Sequence, residues 1–254
     1  MASITEMLRA HAKAIPGAKW LWRTWRSIVD PHSWGLRRAQ KLSPGLLLQP
    51  SHYTSADRYP WLFNFLGEAF SKREIPRILS YGCATGEELF SLETDLPDAE
   101  LLGIDINPRN IAICNRKLAK RGGQNHIQFR CAGSPVHEIA ESYDAILCLA
   151  VLRHGALQDS MPDSCEPWID FASVDRLVTE LARCVKPGGY LAIWHSHFRF
   201  ADMTVAPQFT AVLSHKRIGR VSTPLYGRDN RRLDCPNYCD AVFQKLSLTG
   251  QSSN

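Results

Sequence analysis

Between Arg77 and His195 the chain alternates short apolar runs with amphipathic stretches, and this alternation limits its fold more than any other feature. Ile78-Leu79-Ser80-Tyr81 is an apolar run ending in Gly82-Cys83-Ala84-Thr85-Gly86, after which residues 87–92 open a helix. Residues 101–106 form a second strand, and Asn107-Pro108 supplies an N-cap and first-turn proline for a helix that runs to Gly122-Gly123. Further strands are expected at 127–131, 143–151 and 190–195. The last is entered from a helix at 173–185 through Lys186-Pro187-Gly188-Gly189, and 155–171 reads as irregular. Segments 209–213 and 241–246 are weaker strand candidates that complete a sheet edge. Strands separated by helices in this way predict a parallel sheet covered on both faces. The expected class is α/β, a Rossmann-like doubly wound and mostly parallel sheet with an N-terminal helical extension. The division is 1–71 for that extension, or lid, and 72–254 for the main domain.

Composition narrows the setting. The chain has 254 residues and is 44% hydrophobic, enough for one full-sized core. No apolar run approaches the roughly 18 residues of a membrane span, and the first residues lack the apolar core and small-residue cleavage site of a secretory signal. The eight cysteines fall largely on core segments, as thiols do when they pack as small hydrophobes in a reducing compartment. A soluble, cytoplasmic protein is therefore expected. The net charge of +5 is uneven: residues 1–50 carry eight Lys or Arg against Glu6 and Asp30, and the rest of the chain is close to neutral.

Two features point to chemistry. Glycine lets backbone approach a ligand closely, and a following helix presents unpaired N–H groups, so the loop after the first strand is a candidate cradle. Its spacing, Gly82-x-x-x-Gly86, departs from the G-x-G-x-x-G of dinucleotide sites and favours an adenosyl ligand without a pyrophosphate. Asp105 stands at the end of the second strand about twenty residues on, where a carboxylate accepts hydrogen bonds from ribose hydroxyls. Asn107 is better placed than Asp105 to cap the next helix.

With these pieces in order, the chain resembles a class I S-adenosylmethionine-dependent methyltransferase over residues 77–196. The matching stretches are ILSYGCATGEEL, LLGIDI, SYDAILCLAVLRH and LVTELARCVKPGGYLAIW. The loop itself is similar to that of chemotaxis-receptor glutamate methyltransferases, without their N-terminal helical domain or β-subdomain. The resemblance implies S-adenosyl-L-methionine as cofactor, held by Ser80, Tyr81, Gly82, Cys83, Ala84, Gly86, Glu87, Asp105, Ile106, Ser134, Leu149 and Ala150. Two of these positions depart from the family pattern. Many relatives carry an acid at Ser80 that orients the methionine ammonium, and Glu87 is the candidate replacement. After the third strand, Cys131-Ala132-Gly133-Ser134 replaces an acid that often contacts adenine, which leaves Ser134 or a backbone group for that contact.

Methyl transfer from a sulfonium needs mainly alignment, and needs a base only when the acceptor must lose a proton. His154, just beyond the fourth strand, is the candidate catalytic residue, with packing beside the cofactor as the alternative. His195, His197 and Arg199 follow the fifth strand and are candidate contacts for an anionic or hydroxylated acceptor. Their spacing matches no metal ligand set, and Cys235-Pro236-Asn237-Tyr238-Cys239 lacks the second pair of a structural zinc site, so no metal is expected.

The stretch Lys19-Trp20-Leu21-Trp22-Arg23-Thr24-Trp25-Arg26 suits an anionic membrane surface, nucleic-acid phosphates, an organelle transit segment, or a helix that roofs the acceptor pocket. The roof is favoured, with Trp22 and Trp25 against the acceptor. The leading expectation is methyl transfer to oxygen or nitrogen of a small-molecule acceptor. The alternatives are a protein carboxyl-group methyltransferase and a non-catalytic module that binds RNA or membrane through the basic N-terminus.

Overall fold

A computed structural model describes residues 55, 58–73, 75–215, 223–234 and 238–247. Most of the expected N-terminal extension, with Trp22 and Trp25, and Cys235 lie outside the described residues. Helix α1 (Pro60–Phe70) starts with proline in its first turn and buries Leu62, Phe63, Leu66 and Phe70. Then come β1 (Arg77–Tyr81), α2 (Glu87–Asp95), β2 (Glu100–Asp105), α3 (Pro108–Lys120), β3 (Ile127–Cys131) and β4 (Tyr143–Leu149). The second half holds α4 (Gly155–Ser160), α5 (Phe171–Cys184), β5 (Val185–Trp194), two short 3-10 turns, β6 (Phe209–Ser214) and β7 (Asp240–Lys245). A six-residue helix, α4, occupies part of the stretch expected to be irregular.

The seven strands form one sheet in the order β3-β2-β1-β4-β5-β7-β6. β1 to β5 are parallel, and β7 runs antiparallel to both β5 and β6. Both late strand candidates therefore join the sheet. The chain moves outward from β1 to β3 and restarts on the other side with β4, so the strand order reverses between β1 and β4. A crevice opens outside the carboxyl ends of the strands at such a reversal, and ligands of open α/β sheets bind there.

Alternation along the strands sorts the core onto two faces. Ile78, Leu147, Leu149 and Trp194 pack with α1, α2 and Ile111 of α3. Leu79, Ile146, Cys148, Leu191 and Ile193 pack on the other face with Val174, Leu177, Val178 and Leu181 of α5. All seven residues of β4 are buried, as befits a central strand covered on both sides. α1 therefore belongs to the packed core, although it falls within the expected extension. β5 begins earlier than its apolar run, with pairing that jumps from Tyr143–Val185 to Ala145–Tyr190. The Pro-Gly-Gly segment is a bulge on that strand, with Gly188 at φ +74°. Beside it, buried Asp144 accepts from the Arg77 backbone N–H and from Lys186 Nζ, and also pairs with Arg73.

Candidate active site

The loop after β1 is fixed from below. The N–H groups of Gly82 and Cys83 donate to Ile104 O at 2.7 and 3.1 Å, and Gly86 N–H donates to Cys83 O at 2.9 Å. A Cβ on Gly82 would lie 2.4 Å from Val151 Cγ2, and its φ is +75°, so the position excludes side chains on two counts. From outside the sheet, α3 holds the loop's carbonyls: Cys114 Sγ–H donates to Ala84 O and Lys117 Nζ to Thr85 O. Gly86, at φ +84°, caps α2 without a side-chain bond.

Asp105 lies beneath this loop, 7% exposed. Its Oδ2 accepts from Ala84 N–H at 2.9 Å, and its Oδ1 accepts from Asn107 N–H at 2.8 Å and from Asn110 Nδ2 at 3.1 Å. Burial pushes its pKa up to about 6 against the pull of those three donors. A carboxylate offers about four acceptor positions, so one remains for a ligand hydroxyl. Asn107 caps α3 by accepting from Arg109 N–H, as its position predicts.

The acid beside Ser80 is Glu88, not Glu87. Ser80 Oγ–H donates to Glu88 Oε2 at 3.2 Å, and both residues are buried. Glu87 turns outward to Lys117 and Thr85. One helical residue is a rotation of about 100°, which separates the two carboxylates onto different faces. Glu88 lies four residues before the buried Leu92, on the inward stripe. Burial raises its pKa to about 7, opposed by the Ser80 hydroxyl and by the Arg58 cation.

The remaining predicted residues divide into those at the sheet's carboxyl edge and those tied up elsewhere. Three residues other than glycine adopt positive φ at that edge, Ala84 (+48°), Ala150 (+58°) and His195 (+55°), after β1, β4 and β5 respectively. Such strain persists where surrounding structure enforces it, and it gathers at functional sites. Leu149 is buried, and Ala150 N–H donates to Trp194 O. Ile106 is half-buried at the end of β2. The Cys83 thiol is buried against α3. Tyr81 Oη–H donates to Gly133 O, so it braces the segment after β3. The Ser134 hydroxyl is bonded to Glu180 of α5 and accepts from Val136 N–H, which orients it toward α5.

His154 is the N-cap of α4. Its Nδ1 accepts from Ala156 N–H at 3.3 Å, and burial holds its pKa below the usual histidine range. A neutral ring with Nδ1 accepting carries its proton on Nε2, so Nε2 is a donor there rather than a base. The ring of His195 lies 6.1 Å from that of Tyr59. His197 is fully buried, with Nδ1 2.9 Å from Pro224 O and Nε2 3.2 Å from His154 O. Placed so, it clasps two loops together and does not face an acceptor, contrary to the expectation for this residue. Arg199 makes a two-point pair with Asp202. Among the described residues no group of three or more His, Cys, Asp or Glu is arranged to hold a metal.

Sequence reasoning passed over Arg153. Arg153 follows β4 by four residues, and its Nη2 reaches Gln158 Oε1 of α4 at 3.4 Å. Its Nε is buried and has no hydrogen-bond partner. Its place between Leu152 and His154, at the edge where ligands bind, was the available signal.

Residues 79–191 match the family model described as a methyltransferase domain. The chain is similar to the ubiquinone biosynthesis O-methyltransferase of Agrobacterium fabrum, 27% identical over 161 residues that cover 60% of this chain and 56% of that protein. It is also 27% identical over 122 residues to the trans-aconitate 2-methyltransferase of Deinococcus radiodurans, covering 48% and 38% of the two chains. A solved S-adenosylmethionine-dependent methyltransferase from Thiobacillus denitrificans, in complex with S-adenosylhomocysteine, aligns with a TM-score of 0.38 at 19% identity, over 62% of this chain and 54% of that one. The chain spans between 37% and 56% of the length of the curated relatives it matches.

The site's residues fit the family's cofactor. The loop at Gly82 and Ala84 turns through positive φ above the sheet, a buried carboxylate with acceptor capacity stands at Asp105, and an acid suited to an ammonium at Glu88.

Proposed function

We propose that this protein transfers the methyl group of S-adenosylmethionine to an oxygen or nitrogen of a small-molecule acceptor. The observation that carries this reading is the strained Gly82–Gly86 loop, closed over buried Asp105 at the point where strand order reverses. The cofactor supplies an activated methyl group. The chain's own residues hold it: the loop borders it, Asp105 offers an acceptor to its ribose, and Glu88 faces its ammonium. The curated relatives named for methyl transfer to small molecules support the choice of acceptor class.

Calorimetric titration of S-adenosylhomocysteine tests this directly. Wild type is expected to bind in the micromolar range, and Asp105→Ala to bind at least tenfold more weakly, about 1.4 kcal/mol. Absence of binding to folded wild type would overturn the reading. Label from the cofactor appearing in precipitable protein would favour a protein acceptor instead.

A further inference from the structure

We infer that Asn110 is a positioning residue for the cofactor: it holds the Asp105 carboxylate so that Oδ2 keeps an acceptor position for a ribose hydroxyl. The inference rests on the methyltransferase reading and adds a residue to its binding site.

Asn107 is the N-cap of α3, so Asn110 occupies the third helical position. A polar side chain there ordinarily accepts from the backbone N–H of the N-cap residue and closes the start of the helix. Here that N–H, of Asn107, is already taken by Asp105 Oδ1 at 2.8 Å. The Asn110 amide works the other way, as a donor, with Nδ2 3.1 Å from Asp105 Oδ1. Its own Oδ1 is buried and has no hydrogen-bond partner among the described residues. Exchanging the two ends of the amide would set its oxygen against the carboxylate, so the charge on Asp105 fixes this orientation. The start of the helix gains nothing from such an arrangement. Asparagine is a modest helix former, and a buried carbonyl without a donor is a standing cost. Leucine would remove both penalties, on a helix that already buries the neighbouring Ile111 and Cys114. What asparagine supplies is a third donor to Asp105.

The three donors are unevenly shared. Asn107 N–H and Asn110 Nδ2 both bind Oδ1 and fill its two lone pairs, while Oδ2 takes only Ala84 N–H at 2.9 Å. The acceptor position left for a ligand therefore belongs to Oδ2, the oxygen that also touches the loop. Without Asn110 the carboxyl group loses one of the bonds that resist its protonation. Held at a single point on each oxygen, it also turns more easily about its last side-chain torsion. Once protonated, it presents a donor where the ribose needs an acceptor.

The test compares two ligands on the full chain by calorimetric titration at pH 8: S-adenosylhomocysteine and its 2′,3′-dideoxy counterpart, which lacks both ribose hydroxyls. Wild type is expected to favour the hydroxylated ligand by about tenfold or more, the worth of one hydrogen bond to a charged group. Asn110→Leu is expected to weaken S-adenosylhomocysteine by about fivefold or more and to change the dideoxy ligand less than about twofold. Asn110→Ala, which removes the same amide without filling its place, should show the same split, and cooperative urea unfolding identifies the variant that is folded. A merely structural asparagine would move both ligands together or neither. Either result in a folded variant would overturn the inference, as would a wild type that binds the two ligands alike. Failure of S-adenosylhomocysteine to bind wild type would instead overturn the methyltransferase reading itself.

Discussion

Replacing Glu88 by glutamine is expected to make the protein more stable in alkaline solution and nearly unchanged in acid. Glu88 is 6% exposed, and burial moves its pKa from the ordinary 4.5 to about 7. Each tenfold change in proton affinity is worth about 1.4 kcal/mol, so keeping this carboxylate ionised in the fold costs about 3 kcal/mol. The sign follows from which state holds the proton. Above pH 8 both folded and unfolded chains are ionised, and the cost applies in full. As pH falls through 7 the folded protein takes up the proton first and gains stability. Below 4.5 the unfolded chain is protonated too, and the cost has gone. Glutamine keeps an acceptor for the Ser80 hydroxyl and carries no charge. Urea unfolding of both proteins between pH 5 and 8.5 should therefore show a gap that widens by about 2 to 3 kcal/mol toward high pH. Asp105, also raised, is common to both and cancels. A gap that stays flat across this range would refute the assignment of an ionisable, desolvated carboxylate to this position. The same variant should bind S-adenosylhomocysteine at least tenfold more weakly, because the ammonium loses its counter-charge.

Two further perturbations separate scaffold from chemistry. Asp144→Ala removes the acceptor shared by Arg77 N–H, Lys186 and Arg73, and should cost about 2 to 3 kcal/mol in urea unfolding with little effect on S-adenosylhomocysteine affinity. A loss under 0.5 kcal/mol would show that the cluster is replaceable by water. His154→Asn preserves an N-cap for α4 and removes the imidazole. Because Nδ1 already accepts from Ala156 N–H, kcat should fall less than tenfold and the pH–rate profile should keep its shape, whereas a loss of a hundredfold or more would restore this residue as a base.

Much of the architecture was legible because the strands and helices announce themselves through local patterns. The Gly82–Gly86 loop, the Asn107 cap, the strand-end Asp105 and even the two weak edge strands lie where their sequence signals place them. The site was less legible because side-chain direction is set by phase. Gly86 in a left-handed conformation fixes where α2 begins, and that decides that Glu88 rather than Glu87 points inward. The spacing of Glu88 to Leu92 carried that signal. His197 could not be recognised as a clasp, since its partners, Pro224 O and His154 O, are brought to it by loops distant in sequence.

The grip of α3 on the outer side of the loop has a consequence for how binding should appear in a calorimeter. Because Cys114 and Lys117 already hold the carbonyls of Ala84 and Thr85, the loop meets its ligand with little freedom left to lose. Cutting that grip with Lys117→Met leaves every ligand contact in place, so the enthalpy of binding should hardly change. The affinity should fall instead through a more unfavourable entropy, from a lysine on the far side of the loop.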